Sequence, residues 1–269
     1  KRVYRDSKMT IAHLEKHSRL ALTVYHLLYS LVLSIFISVI IYFIWYPTHL
    51  GLAIGVLPAV LMLIAINLIV APLLTFIIYK ANKKELSRDL IIILVLQIMA
   101  LGYGLYIVEA GRPAYLVFAD NDFEVVRSFD NEWAQNNSNT EAADAKSLGL
   151  FEKPKFVYST LSSAEEVESN QQTPELTAGE FAVKEYYVRV PTIFRTDSYQ
   201  PIETAADIIQ SEAKTLAALT DNNDAQRVAE VLRHYPSADS WLPLRATVTD
   251  MVVLIDRKGS VIDIVDLRP

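Results

Sequence analysis

His26, Ser30, Ser34, Ser38 and Tyr42 recur every four residues along one apolar stretch, and Asn67 and Gln97 stand isolated in two others. Residues four apart fall on one slowly drifting face of a helix. Imidazole, hydroxyl and amide groups aligned in this way can exchange hydrogen bonds across a helix contact, but they do not form a nucleophile–base pair. Elsewhere the chemistry is sparse. Beyond residue 109 the sequence has one histidine, His234, and the chain has no cysteine, so neither a metal site nor a disulfide is expected. There is no G-x-S-x-G elbow, P-loop or Rossmann glycine pattern. Carboxylates abound after residue 110, but paired carboxylates become a catalytic signal only at a defined separation. The reading is of a protein with no catalytic residue, no cofactor and no metal.

The elements that carry the polar face are long and apolar. Residues 20–46, 50–79 and 90–108 contain no Lys, Arg, Asp or Glu. About 20 apolar residues rising about 1.5 Å each cross a hydrocarbon core about 30 Å thick, so each run predicts a transmembrane helix. The first run follows Lys16, His17 and Arg19, yet it exceeds a signal-peptide core and no small-x-small site follows it, which implies an uncleaved anchor. In lipid, Asn67 and Gln97 are costly unless paired, so they should face the helix bundle or a partner. Gly51, Gly55 and Ala59 are small residues spaced to let helices approach closely, and Ser30, Ser34 and Ser38 could bond across such a contact. Pro72 removes a helix hydrogen bond and frees the carbonyl of Leu68, beside Asn67.

Charge sets the expected orientation. Lys1, Arg2, Arg5, Lys8, Lys16 and Arg19 precede the first helix, and Lys80, Lys83, Lys84 and Arg88 lie between the second and third. The first loop, "YPTHL", has no Lys or Arg. Basic residues near membrane helices favour the cytoplasmic side, so residues 1–19 are expected inside, 20–109 in the bilayer and 110–269 outside the cytoplasm. Net charge is +5 over 1–109 and −11 over 110–269, together the −6 of the chain. An acidic exported domain is a poor candidate for nucleic acid or anionic lipid head groups, both of which attract positive charge.

That domain reads as α+β around a mainly antiparallel sheet. "AYLVFADNDFEVVRS" (114–128) and "MVVLIDRKGSVIDIV" (251–265) have the form of hairpins, with turns at Asp120–Asp122 and Arg257–Gly259. Residues 155–160 and 184–190 are further strand candidates. Residues 201–219 and 223–235 have helical spacing, the first with a proline start. The stretch 130–149 is polar and reads as a loop.

Across residues 19–127 the chain resembles the TfpX/TfpZ family of type IV pilin accessory proteins. The resemblance rests on His26, Ser30, Trp45-Tyr46-Pro47, Pro72-Leu73-Leu74-Thr75, Lys83, Asp89, Gln97, Tyr103-Gly104 and Arg112-Pro113-Ala114, in that order. The chain departs from the family pattern at Asn67, where an acid is more usual, and at Ala71, where a Gly precedes the Pro. The resemblance implies a non-enzymatic protein of the Gram-negative inner membrane that acts beside a major pilin and supports pilus production. Candidate contacts to the pilin, or between the chain's own helices, are His26, Ser30, Ser34, Ser38, Gly51, Gly55, Asn67 and Gln97. The alternative is a membrane-anchored ligand sensor or transporter accessory subunit, which a deep apolar pocket in the exported domain would favour and an exposed groove along the helices would disfavour.

Overall fold

The computed structural model describes residues 2–79, 85–119, 121–130, 148–159 and 199–269, with side chains from residue 19 onward. Lys83, the strand expected at 184–190 and most of the 130–149 loop lie outside the described residues. The chain forms two compact units, one of residues 1–40 and 57–109, the other of residues 41–56 and 110–269.

The first unit is helical. Helix α1 (Arg2–Ile40) passes into a π-helical turn at Ile41–Trp45. Helix α3 (Leu57–Ala65) continues through a second π turn (Ile66–Val70) into α4 (Ala71–Ile78), and α5 (Leu86–Ala110) completes the set. The second π turn sits where Pro72 lacks the N–H that a regular helix needs, and a widened turn absorbs that loss. Among the described residues three helices are long and apolar enough to cross a membrane, Arg19–Trp45, Leu57–Ile78 and Leu86–Ala110, and only 22%, 28% and 17% of their most apolar windows are buried. The remaining apolar side chains, such as Val32, Phe36, Met62 and Ile98, are exposed. A continuous apolar exterior of this size requires lipid as its solvent.

The second apolar run is not one helix from residue 50. Leu50–Ile54 forms a short helix of its own, α2, closed at Gly55 in the left-handed region (φ 78°) with Gly55 N–H donating to Gly51 O. Leu50 and Ala53 enter the core of the second unit, beside Leu116, Phe118, Phe123 and Val253. The loop between the first two spans is therefore built into the sheet domain, and both lie on the same side of the membrane.

Among the described residues the sheet has eight strands: β1 (Pro113–Ala119), β2 (Asp122–Arg127), β3 (Lys155–Ser159), β4 (Tyr199–Pro201), β5 (Lys214–Thr215), β6 (Ala238–Arg245), β7 (Met251–Asp256) and β8 (Val261–Val265). Their order is β4-β3-β1-β2-β6-β7-β8, with β5 on β6. Both expected hairpins are present, as β1–β2 and β7–β8. The sheet is mixed rather than mainly antiparallel, because β1 runs parallel to β3 and β2 parallel to β6. Parallel partners need long crossovers, which leave no local turn signal. The helix expected over 201–219 is interrupted: a 3-10 turn (Ile202–Ala205), α6 (Ala206–Glu212), β5 and a second 3-10 turn (Leu216–Asp221) replace it. Pairing of Lys214 and Thr215 with β6, and the bond from Trp241 Nε1 to Thr215 O (2.9 Å), outweigh helix propensity there. Helix α7 (Ala225–His234) starts as expected, with Asp224 Oδ1 accepting from the N–H of Gln226 and Arg227. Strand β7 is buried on both faces: Met251, Val253 and Ile255 face α6 and α2, and Val252 and Leu254 face Leu219 and Val228.

Candidate functional site: a polar clasp and an apolar groove

Three spans contribute to one hydrogen-bonded cluster. Asn67, in the π turn before Pro72, donates through Nδ2 to Ser30 O (3.1 Å) and Ser34 Oγ (2.8 Å). Gln97 of α5 donates through Nε2 to Asn67 Oδ1 (2.6 Å) and Ser30 Oγ (3.1 Å). Gln97 Oε1 lies 2.8 Å from His26 Nε2, and because that oxygen only accepts, the imidazole carries its proton on Nε2. Thr75 Oγ1 is 2.7 Å from His26 Nδ1 and 3.2 Å from Ala71 O. With its proton on Nε2, the His26 ring accepts at Nδ1 from the Thr75 hydroxyl.

Ser30, Ser34, Asn67, Thr75 and Gln97 are all buried. The cluster acts as a clasp: each amide proton of Asn67 and Gln97 has an acceptor within the spans. The serine face of the first span is thus occupied by the chain's own second and third spans at Ser30 and Ser34. Ser38 stays outside, its hydroxyl returning to Ser34 O (2.8 Å). Thr75 is the member whose contact the helix spacing did not reveal, since it belongs to no four-residue series.

The two loop glycines serve another part of the molecule. A Cβ on Gly55 would come within 2.7 Å of Val248 Cγ2, whereas one on Gly51 would make ordinary contact. Their neighbours are in the sheet domain, not in another span. Of the remaining motif residues, Pro72 and Thr75 are buried, Pro47 is half-buried and Asp89 lies in the first turn of α5, where a carboxylate suits the helix dipole. Tyr103 is exposed. Gly104 gives close approach: a Cβ there would sit 3.0 Å from Leu63 Cδ1 of the second span. Trp45, Arg112 and Pro113 are buried within the unit that holds the sheet. Arg112 donates to Ser128 Oγ, Gly149 O and Leu148 O, and its guanidinium lies 5.8 Å from the Trp45 ring.

Between the second and third spans lies an open groove of about 430 Å³, walled by residues that include Leu63, Ile66, Val70, Ile93 and Leu101, with Asn67 and Gln97 also in its lining. The clasp holds the spans together on one side while the groove stays open on the other. A cavity among the described residues of the sheet domain, by contrast, is lined by Asn222, Thr249, Asp250 and Arg268 among others.

In the sheet domain the Glu124 carboxyl is pushed up to about 7 by burial and then by the neighbouring Asp122 charge, with Arg245 opposing. Arg245 is ion-paired with Asp122 and lies opposite Glu124 in the parallel β2–β6 pairing. His234 closes the last turn of α7, its Nδ1 3.0 Å from Glu230 O. Among the described residues no group of three His, Cys, Asp or Glu is placed to hold a metal ion.

Fold and site together define a three-span membrane protein whose first loop is fused into a mixed α+β domain. No family model matches the chain, and no solved structure matches it. Three curated proteins of Dichelobacter nodosus do. The fimbrial assembly protein of serogroups C1 and C2 is 30% identical over 107 residues, 39% of this chain and 82% of that protein. That of serogroup E1 is 30% identical over 107 residues, 39% of this chain and 42% of that protein. That of serogroup I is 33% identical over 95 residues, 35% of this chain and 37% of that protein. The chain belongs to this family of fimbrial assembly proteins. It spans about two fifths of the length of the serogroup I and E1 proteins.

Proposed function

We propose that this chain is a non-enzymatic accessory factor of type IV pilus biogenesis, of the TfpX/TfpZ kind, that receives the apolar helix of the major pilin in the bilayer before assembly. The observation that carries the reading is the open apolar groove between the second and third spans. A transmembrane helix laid there would exchange lipid for packed side chains, the main source of helix association in a bilayer. The family supports the role, since the relatives carry fimbrial assembly in their names. The polar clasp holds the groove's shape; its amide protons are already committed, so the pilin helix is recognised by packing.

In this proposal the basic residues before the first span and after the second stay in the cytoplasm of a Gram-negative cell. The sheet domain, on the side of the uncharged first loop, is then periplasmic. A ligand sensor is the weaker reading, because the sheet-domain cavity is polar in lining rather than a deep apolar seat.

A photocrosslinking amino acid at Ile66 or Leu101, in cells that assemble pili, tests the reading. The expected result is an adduct with the major pilin that is absent at Val32, an exposed position of the first span. Equal labelling at all three positions, or none in the groove, overturns it.

A further inference from the structure

The large apolar side chains that the described part of the sheet domain exposes are few, and most of them fall together. Among the described residues from 110 to 269 they are Phe129, Leu150, Phe151, Ile208 and Val248. Three of these five emerge from one cluster of buried polar contacts. Ser128, next to Phe129, donates its N–H to Arg112 O (2.9 Å) and accepts from Arg112 Nε. Leu148 O and Gly149 O accept from the same guanidinium, and Leu150 O accepts from Trp45 Nε1 at 2.7 Å. Asp130, buried, holds the other flank of Phe129 through Arg127 Nε (2.8 Å) and Nη2 (2.9 Å). The backbone of both turns is thus fixed by buried groups, while Phe129, Leu150 and Phe151 are 51%, 61% and 73% exposed.

The depth of these turns follows from their partners. Trp45 is the last residue of the first span, and Arg112 is two residues beyond Ala110, the last of the third. One turn before Trp45, Tyr42 and Phe43 are also exposed. Through Trp45 and Arg112 the turns are bonded to residues at, or two positions beyond, the ends of the first and third spans, where hydrocarbon gives way to head groups. In water, rigid turns that hold three large apolar side chains outward would be costly. At a bilayer interface the same side chains are buried about 5–10 Å into the head-group boundary.

From this we infer that Phe129, Leu150 and Phe151 form a lipid-inserting lip that seats the sheet domain on the membrane surface, with Arg112 and Trp45 as its positioning residues. The occupant is the interfacial region of the bilayer itself.

The absence of native cysteine makes a direct test clean. The full chain carrying Phe151→Cys, Leu150→Cys or Phe129→Cys is labelled with a nitroxide and reconstituted into phosphatidylethanolamine–phosphatidylglycerol vesicles. Lys258→Cys, in the exposed β7–β8 turn, is the aqueous reference. Collision with oxygen, which concentrates in lipid, is compared with collision with a water-soluble nickel chelate. The expected result is an oxygen-to-nickel ratio at Phe151 several-fold above that at Lys258. A ratio at Phe151 equal to the reference overturns the proposal, as does a label shielded from both reagents, which would place the lip against protein. All four substitutions replace exposed side chains, so folding is preserved and the ratio decides.

Discussion

The spans and the sheet domain bury opposite kinds of side chain. In the spans Ser30, Ser34, Asn67, Thr75 and Gln97 lie inside while Val32, Phe36, Met62 and Ile98 face outward. In the sheet domain Val252, Val253, Leu254 and Ile255 are fully buried, and ion pairs such as Arg257–Asp239 and Arg227–Asp266 lie at the surface. The difference shows what each solvent rewards. Water drives apolar groups together, whereas lipid is indifferent to them and leaves hydrogen bonds and close packing to hold helices in register.

That contrast can be broken most severely in the sheet. Val253→Asp would bury a carboxylate at the centre of β7, at a cost on the order of 5 kcal/mol or more, comparable to the stability of a small domain. Limited proteolysis in detergent should show loss of a resistant core. A smaller and pH-dependent effect is expected at Glu124. Its carboxyl titrates at about 7 in the folded domain against an ordinary value of 4.5, so folding favours the protonated form. The stability it contributes is full below about pH 4.5 and is lost as pH rises through about 7, by up to about 3 kcal/mol. Thermal unfolding from pH 5 to 8 should show this decline, and Glu124→Gln should flatten it.

In the spans the mirror-image change, polar to apolar, costs less. Asn67→Leu with Gln97→Leu removes the clasp's five amide hydrogen bonds, and with membrane hydrogen bonds worth about 0.6 kcal/mol each the expected loss is about 3 kcal/mol at most. Unfolding in mixed micelles should detect it; a loss as large as that of Val253→Asp would mean the two solvents are not so different. The smallest effect is expected at His234→Ala, which removes only a contact in the last turn of α7. If the chain is non-enzymatic as proposed, pilus number by electron microscopy should be unchanged.

Much of this organisation is legible in the sequence because it is periodic or locally punctuated. Uncharged runs mark the spans, the four-residue series from His26 marks the face that receives Asn67 and Gln97, and Asn121 and Gly259 turn the two hairpins at positive φ. What escaped depends on partners far along the chain. Strand β6 carries Pro243, which argues against a central strand, yet β5 pairs at Ser240–Trp241 and β2 at Leu244–Arg245, leaving Pro243 between them. The break after Glu212 arises only when β6 is present to pair with Lys214 and Thr215. Thr75 gained its role through the π turn, which shifts the register of the second span by one residue. Gly51 and Gly55 looked like span-packing residues because their spacing suits helix contact, but a left-handed cap ends the helix between them and the span.

The entry of Leu50 and Ala53 into the sheet core has a consequence for the order of events at the ribosome. His49 Nδ1 donates to the carbonyl of Ile264, 215 residues later, and the N–H groups of Val248 and Thr249 both donate to Ala53 O. The first loop is made early in synthesis, but these bonds can close only once residues 248–264 have been made. Such long-range closure is slow to form. A soluble fragment begun after the third span would lack Leu50 and Ala53 and expose the hollow they fill, so the domain's core is complete only with a segment that precedes the second and third spans.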